Sequence, residues 1–470
     1  MFKRKVYNEI LEWKNSINHK PLIIRGLRQI GKTTLAQEFG KNNYKSVILL
    51  DFRKEKTLHE IFEGDFDVDQ IMFAITLRKK DVTIIPNDTL LIFDEIQDCP
   101  NARSSLKYFA KDGRYDIIAT GSLLGIKNYK ISKKPTRGIP VGFEEYLEMK
   151  PMDFEEFLWA NNINSEVVDN VKKSINDLKQ VQPFIHNEML SLFNKYLCIG
   201  GMPEVVAKYI ETNDFNQVRR VQKRILNDYE ADFGTHLNDD NEIVVDNFAK
   251  AKILETFHSI PRQLAKKNQK FQYSCIAKNA KGREYKTSIE WLEDYGLISL
   301  CHNLSALELP LDSFAIGDTF KVYVNDTGLY IAMLDDDIPA EIINGNMGSG
   351  KGAIYENVIA DALNKMNLKL YYFHKDSGLE IDFIHKYASK VSLIEVKAKS
   401  GRTKSAAYIL DNYEKYGVDH LIKFTSNNIG FHKNTYTFPY YSVSFLFKWM
   451  IRIYSKWVIT NEITCIKIVR

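Results

Sequence analysis

Cysteine is scarce in this chain of 470 residues, and the few present do not pair. Cys99, Cys198, Cys275, Cys301 and Cys465 are odd in number and widely scattered, with no CxxC spacing. That excludes a disulfide framework or a cysteine-based zinc site and fits a reducing cytoplasm. With 12 Pro and 24 Gly, the chain is neither collagen-like nor dominated by linkers. No stretch approaches the ~18 uninterrupted apolar residues of a membrane helix, so no membrane span is expected. The basic start, MFKRKVYNEILEWKNS, lacks the apolar run of a signal peptide. Charge of one sign is missing too: 64 Lys plus Arg against 60 Asp plus Glu leave +4, so any basic surface must be local. No repeat of ~20–50 residues is visible, which excludes solenoids and propellers.

What is there is an ordinary globular composition, 44% hydrophobic and 26% charged, in a length that fits about three domains. Short apolar runs at 21–26, 46–51, 90–95 and 115–120 alternate with helical-length segments, the pattern of parallel strands buried on both faces. This predicts an α/β nucleotide fold over 1–150. From 151 to 235 long amphipathic segments replace the strands and predict a helical lid or connector. Residues 236–335 read as a small α+β unit, and 336–435 as a second, independent α/β unit. The tail, 436–470, carries the greasy run FLFKWMIRIYSKWVI, which fits a docking helix, a membrane-surface helix or a terminal strand pair.

Chemistry enters at Gly26-Leu27-Arg28-Gln29-Ile30-Gly31-Lys32-Thr33, a GxxxxGK[ST] loop between an apolar strand and a helical pattern beginning at Thr34. Such a loop turns backbone N–H groups toward phosphate oxygens, while its lysine reaches the β- and γ-phosphates and its hydroxyl ligates magnesium. ATP and Mg²⁺ are therefore the expected ligands, with Gly26, Arg28, Gly31, Lys32, Thr33 and Thr34 as the contact set. Downstream, Leu90-Leu91-Ile92-Phe93 ends in Asp94 and Glu95. Asp94 is expected to hold the magnesium with Thr33, and Glu95 to polarise the attacking water. The run Thr120-Gly121-Ser122 ends the next strand, where Ser122 is a candidate γ-phosphate sensor or a helix N-cap. Arg28, Arg137 and the Arg219/Arg220/Arg224 group are candidate γ-phosphate or subunit-contact arginines, against a plain surface role.

Near the C-terminus, Asp382 on one strand-like run is followed by Glu395-Val396-Lys397 on the next. Period-two geometry puts Glu395 and Lys397 on one face. Asp382 and Glu395 can converge on a divalent cation, with Lys397 beside the scissile phosphate and Glu356 joining from a preceding helix. This is the constellation of metal-dependent phosphodiester cleavage; an ordinary Glu–Lys surface pair remains the alternative. Lys399, Arg402 and Lys404 are candidate phosphate neutralisers. Residues 274–298 read as a helix-turn-helix entering a wing strand, with Lys278, Lys281, Arg283 and Lys286 near the second helix start, and either DNA or protein as the partner.

The blocks RGLRQIGKTT, LLIFDEIQDCP, ATGSLLG, PMDFEEFLWA, YLCIGGMPEVV, VYVNDTGLY and LIEVKAKSG, in this order, make the chain resemble the prokaryotic AAA-type (AAA_14) ATPases that carry a DUF4143 C-terminal region. The resemblance runs from about Lys20 to about Tyr416. It implies an AAA+-like P-loop core, a helical lid, a winged-helix region and a PD-(D/E)xK endonuclease-like C-terminal domain. It matches Gly31, Lys32 and Thr33 to the nucleotide loop, Asp94 and Glu95 to the second motif, and Asp382, Glu395 and Lys397 to the nuclease-like motif. One departure stands out: Gly142 is followed by Phe143 where relatives carry a basic residue. The expected activity is Mg-dependent ATP hydrolysis coupled to a DNA-directed module, with homo-oligomer or protein partners as further expectations. Its rivals are an ATP-gated nuclease and an ATP-loaded scaffold with a non-catalytic nuclease fold.

Overall fold

The four apolar runs form the strands their continuous hydrophobicity requires. In the computed structural model, β1 (Leu22–Gly26), β2 (Ser46–Asp51), β3 (Thr89–Asp94), β4 (Asp116–Ser122) and β5 (Glu145–Glu148) make one parallel sheet in the order β2-β3-β4-β1-β5. The structure describes residues 1–79, 82–122, 142–237, 243–266, 269–346, 348, 350–387, 389–398 and 403–446. Arg137, Lys399, Arg402, Cys465 and the greasy segment beyond Leu446 lie outside the described residues.

Helices α1 (Val6–Asn15), α2 (Lys32–Asn43), α3 (Val68–Arg78) and α4 (Pro100–Asp112) accompany the sheet. Every residue of β3 is buried, as expected of a central parallel strand, and Phe52, Phe62, Phe93 and Phe109 fill the core on its α3–α4 side. Register places Asp51 opposite Asp94, and Gly26 opposite Ser122. The ends of β1, β3 and β4 therefore meet at the carboxyl edge, where open α/β sheets bind ligands. This compact unit comprises 1–151 together with 232–253 and 288–296, and includes the two-stranded β6 (Thr235–Leu237) and β7 (Ile243–Val245).

The second unit comprises 152–231, 254–287 and the chain from 297 onward. Its eight-stranded mixed sheet is built from β8 (Ile298–Leu304), β9 (Ala315–Val324), β10 (Leu370–His374), β11 (Glu380–Tyr387), β12 (Lys390–Val396), β13 (Leu421–Thr425), β14 (Gly430–His432) and β15 (Thr435–Pro439). The order β14-β15-β13-β12-β11-β10-β8-β9 corrects two expected boundaries. β8 pairs in parallel with β10, Cys301 opposite Leu370, so the strands assigned to a separate unit ending at 335 belong to the C-terminal sheet. β15 pairs with β13, so the first residues assigned to the tail complete that sheet, and Tyr440, Tyr441 and Phe445 after it are buried.

The helices expected as a lid also belong to the second unit: α5 (Phe154–Ala160), α6 (Ser165–Asn176), α7 (Pro183–Ile199), α8 (Pro203–Thr212) and most of α9 (Phe215–Asp232). The reason is a buried polar knot. After α10 (Asn247–Leu264), α11 (Gly282–Tyr295), β8 and β9, the chain reaches Asp326, whose carboxylate caps α12 (Thr327–Ala332) through Leu329 N at 3.0 Å and accepts from Gly201 N at 2.5 Å. Lys365, at the end of α14 (Lys351–Lys365; α13 is Ile338–Ile343), donates to Asp361 at 2.8 Å, Tyr196 Oη at 2.9 Å and Met152 O at 3.1 Å. Buried charges survive when paired and hydrogen-bonded, and these groups are. The knot accounts for the sequence blocks containing Gly200-Gly201-Met202-Pro203 and Asn325-Asp326-Thr327-Gly328.

Candidate functional site

Gly31 sits at φ +89°, a conformation that strains any L side chain, and turns the chain from the loop into α2. Lys32 follows as the first residue of α2, and its Nζ donates to Gly26 O at 3.0 Å and Leu27 O at 2.7 Å. Burial lowers its pKa to about 8, against the raising effect of Glu95 and Asp94. Thr33 Oγ1 donates to Asp94 Oδ1 at 2.6 Å, so the two expected magnesium donors already adjoin. Thr120 Oγ1 donates to the same carboxylate oxygen and accepts from Glu95 N at 3.3 Å. Of the hydroxyls ending β4, it is Thr120 that holds Asp94; Ser122 is buried opposite Gly26.

Glu95 has φ +52°, which swings its carboxylate away from the β3 axis toward the cavity. There it meets Arg53 at 3.0 Å and Gln97 Nε2 at 2.5 Å, and Arg53 Nε also donates to Asp98 at 2.9 Å. A cavity of about 400 Å³ is lined by Arg28, Gln29, Gly31, Lys32, Thr33, Thr34, Arg53 and Glu95. Three cations around one polar cavity at a helix N-terminus suit a polyanionic ligand. The donor set also fits magnesium: a hydroxyl and a carboxylate, both hard oxygens, at the mouth of the phosphate loop. Arg53 escaped the motif reading. The usable signal was positional, since it lies two residues past Asp51, the register partner of Asp94.

The Lys32 shift fixes a pH dependence. Phosphate binds the ammonium form and stabilises it, so affinity is full below the free pKa and falls as pH rises above about 8. We expect the nucleotide association constant to be nearly flat from pH 6.5 to 7.5 and to lose about tenfold per unit above pH ~8.5, measured by titration calorimetry.

The C-terminal residues also come together. Asp382 Oδ2 accepts from Val396 N at 2.7 Å and lies 3.6 Å from Lys397 Nζ, which is ion-paired with Glu395. Glu356 is buried and accepts from Tyr323 Oη at 2.6 Å and Lys321 Nζ at 3.0 Å, while Lys321 is 3.4 Å from Glu380. Burial, then the charge of Glu356, pushes Asp382 up to about 6; burial, then Asp382, pushes Glu395 up to about 8. Burial works against the Lys321 ammonium, yet Glu356, Asp382 and Glu380 outweigh it and raise its pKa. Lys321 and Tyr323 were not foreseen, because β9 was read as part of another domain. Among the described residues no three His, Cys, Asp or Glu side chains are placed to hold one metal ion. In this arrangement Lys397 pairs with Glu395, and Lys321 with Glu356.

Lys278, Lys281, Arg283 and Lys286 are all exposed around the start of α11. Arg219 is buried and donates to Asp336 at 2.5 Å and Ile331 O at 3.1 Å, and Arg224 pairs with Glu204. Both are thus engaged inside their own unit.

The family model described as AAA domain matches residues 18–158, and a domain of unknown function, DUF4143, matches 351–443. Another, DUF8612, matches 190–339, across the boundaries expected at 235 and 335. The order of AAA domain and DUF4143 is the one expected from the sequence blocks. No curated protein matches. Among solved structures, the chain is similar to PCH-2 of C. elegans at 10% identity and TM-score 0.27, over 48% of this chain and 71% of that one. It is similar to the RuvB Holliday junction branch migration motor of Thermotoga maritima at 10% identity and TM-score 0.27, over 63% and 89%. The replication initiator DnaA bound to AMPPCP and single-stranded DNA gives 13% identity and TM-score 0.28, over 62% and 86%. The first unit is a parallel-sheet P-loop NTPase fold, the second a mixed-sheet domain, and no helix among the described residues is long and apolar enough to cross a membrane.

Proposed function

We propose that this chain, an AAA domain followed by a DUF4143 region, is a Mg-dependent ATP hydrolase whose nucleotide state governs a nucleic-acid-directed C-terminal module. The observation that carries the reading is the contact of Thr33 with Asp94 at 2.6 Å beside a cavity lined by Lys32 and Glu95. When bound, magnesium supplies Lewis-acid neutralisation of the phosphates; Thr33 and Asp94 hold it. Lys32 exchanges its two loop carbonyls for phosphate oxygens. Arg28 and Arg53 add positive charge to the cavity wall, and Glu95, released from Arg53, orients the attacking water and takes its proton.

For the C-terminal module, α14, β10, β11, β12, α15 (Lys404–Asp411) and β13 follow the helix, three strands, helix, strand order of a PD-(D/E)xK core. Engagement of Glu356 by Lys321 and Tyr323 supports a binding role over cutting, and the exposed cations at 278–286 support DNA as the partner. Incubation with supercoiled plasmid and Mg²⁺ or Mn²⁺ is expected to leave it intact, while a gel shift detects binding that weakens with salt. Nicking by wild-type protein that disappears in Asp382→Ala would instead establish the nuclease reading.

A further inference from the structure

A carboxylate already occupies one of the loop's cations. Arg28 lines the cavity beside Lys32, and its guanidinium is ion-paired with Asp232, the last residue of α9, far along the sequence. Tyr295, the last residue of α11, donates its hydroxyl to the same carboxylate oxygen at 2.8 Å. Around that contact Trp291 stacks on Tyr295 at 4.9 Å between ring centroids, and Phe233 meets Trp291 edge-on at 5.3 Å. Arg53, across the cavity, also feels the charge of Asp232. All these residues belong to the first unit, and the chain leaves or enters that unit immediately beside them, at 231–232 and 296–297.

We propose that Asp232, held by Tyr295, is an internal competitor of nucleotide phosphate. Before nucleotide binds, its single negative charge holds Arg28; a triphosphate, with several charges and a geometry that accepts a guanidinium in bidentate fashion, takes Arg28 from it. The Arg28 and Asp232 side chains are 29% and 21% exposed, so solvent screens their pair only in part, and it is the greater charge and bidentate geometry of the phosphates that favour the exchange. Once Arg28 leaves, the carboxylate keeps Tyr295 and gains water, and the segments 232–237 and 288–296 lose this tie to the phosphate loop. Asp232 is a positioning residue that acts through Arg28. Occupancy of the loop is thereby transmitted to two of the points where the chain passes between units, 231–232 and 296–297.

The inference rests on nucleotide binding at this loop, and the test separates the two. Full-length wild-type, Asp232→Asn, Tyr295→Phe and Lys32→Ala proteins are titrated with a fluorescent non-hydrolysable ATP analogue, and hydrogen exchange is followed with and without saturating analogue. Asp232→Asn is expected to bind about five- to tenfold tighter than wild type, and Tyr295→Phe to shift the same way by less. In wild type, exchange across 232–237 and 288–296 rises when the analogue binds; in Asp232→Asn it is raised beforehand and changes little. Removal of a charge without competition would tighten binding but leave the exchange pattern of wild type unaltered by nucleotide, and that result overturns the proposal. Equal affinities of wild type and Asp232→Asn overturn it as well. If the analogue fails to bind wild-type protein, or binds Lys32→Ala equally, the loop reading itself falls and takes the proposal with it.

Discussion

Glu95→Gln is expected to lower the ATP turnover number by roughly 10²–10³-fold while leaving the nucleotide dissociation constant within about threefold of wild type. The carboxamide keeps the size and the left-handed backbone position of Glu95 but cannot take a proton. Its attraction for Arg53, 3.0 Å away in wild type, also weakens, so more of Arg53 is available to the cavity. Steady-state phosphate release beside calorimetric binding separates the two quantities. Turnover and binding lost together would mean that Glu95 shapes the loop rather than serving as the base.

The second large effect is on folding. A Cβ at Gly201 would lie 1.9 Å from Met152 O and 2.7 Å from Met152 N, both backbone atoms. Neither can move without breaking the bonds that Met152 O accepts from Tyr196 and Lys365, or the bond from Met152 N to Gly201 O at 2.7 Å. Gly201→Ala should therefore cost roughly 3 kcal/mol or more, through strain added to buried polar groups left unpaired. Gly64→Ala, where an added Cβ meets nothing within 4 Å, should change stability by less than about 0.5 kcal/mol. Urea denaturation of the two variants measures the contrast.

How legible the protein was follows from the range of its contacts. The loop from Gly26 to Thr34 was readable because backbone turn, helix start and phosphate chemistry are encoded in consecutive residues. Asp94 and Glu95 were readable because the strand before them is a fully buried run. Arg53 belongs to no motif, and Thr120 was legible only as part of the run ending β4; their places beside Asp94 and Glu95 follow from strand register, which a single strand does not disclose. Asp232 pairs with a residue 204 positions earlier, and nothing local to either announces it. In the second unit, the residues of β8 and β9 were legible only as part of a small α+β unit, because the parallel pairing of β8 with β10 joins distant parts of the chain. That non-local step brings Lys321 and Tyr323 onto Glu356.

The central claim, hydrolysis of Mg-ATP at the loop, is tested most directly by phosphate release from purified full-length protein with ATP and Mg²⁺, with chelator, and in the Lys32→Ala variant. Turnover that requires Mg²⁺ and disappears in Lys32→Ala is the predicted result. ATP that binds tightly but is not hydrolysed under any condition, or turnover unchanged in Lys32→Ala, would contradict it.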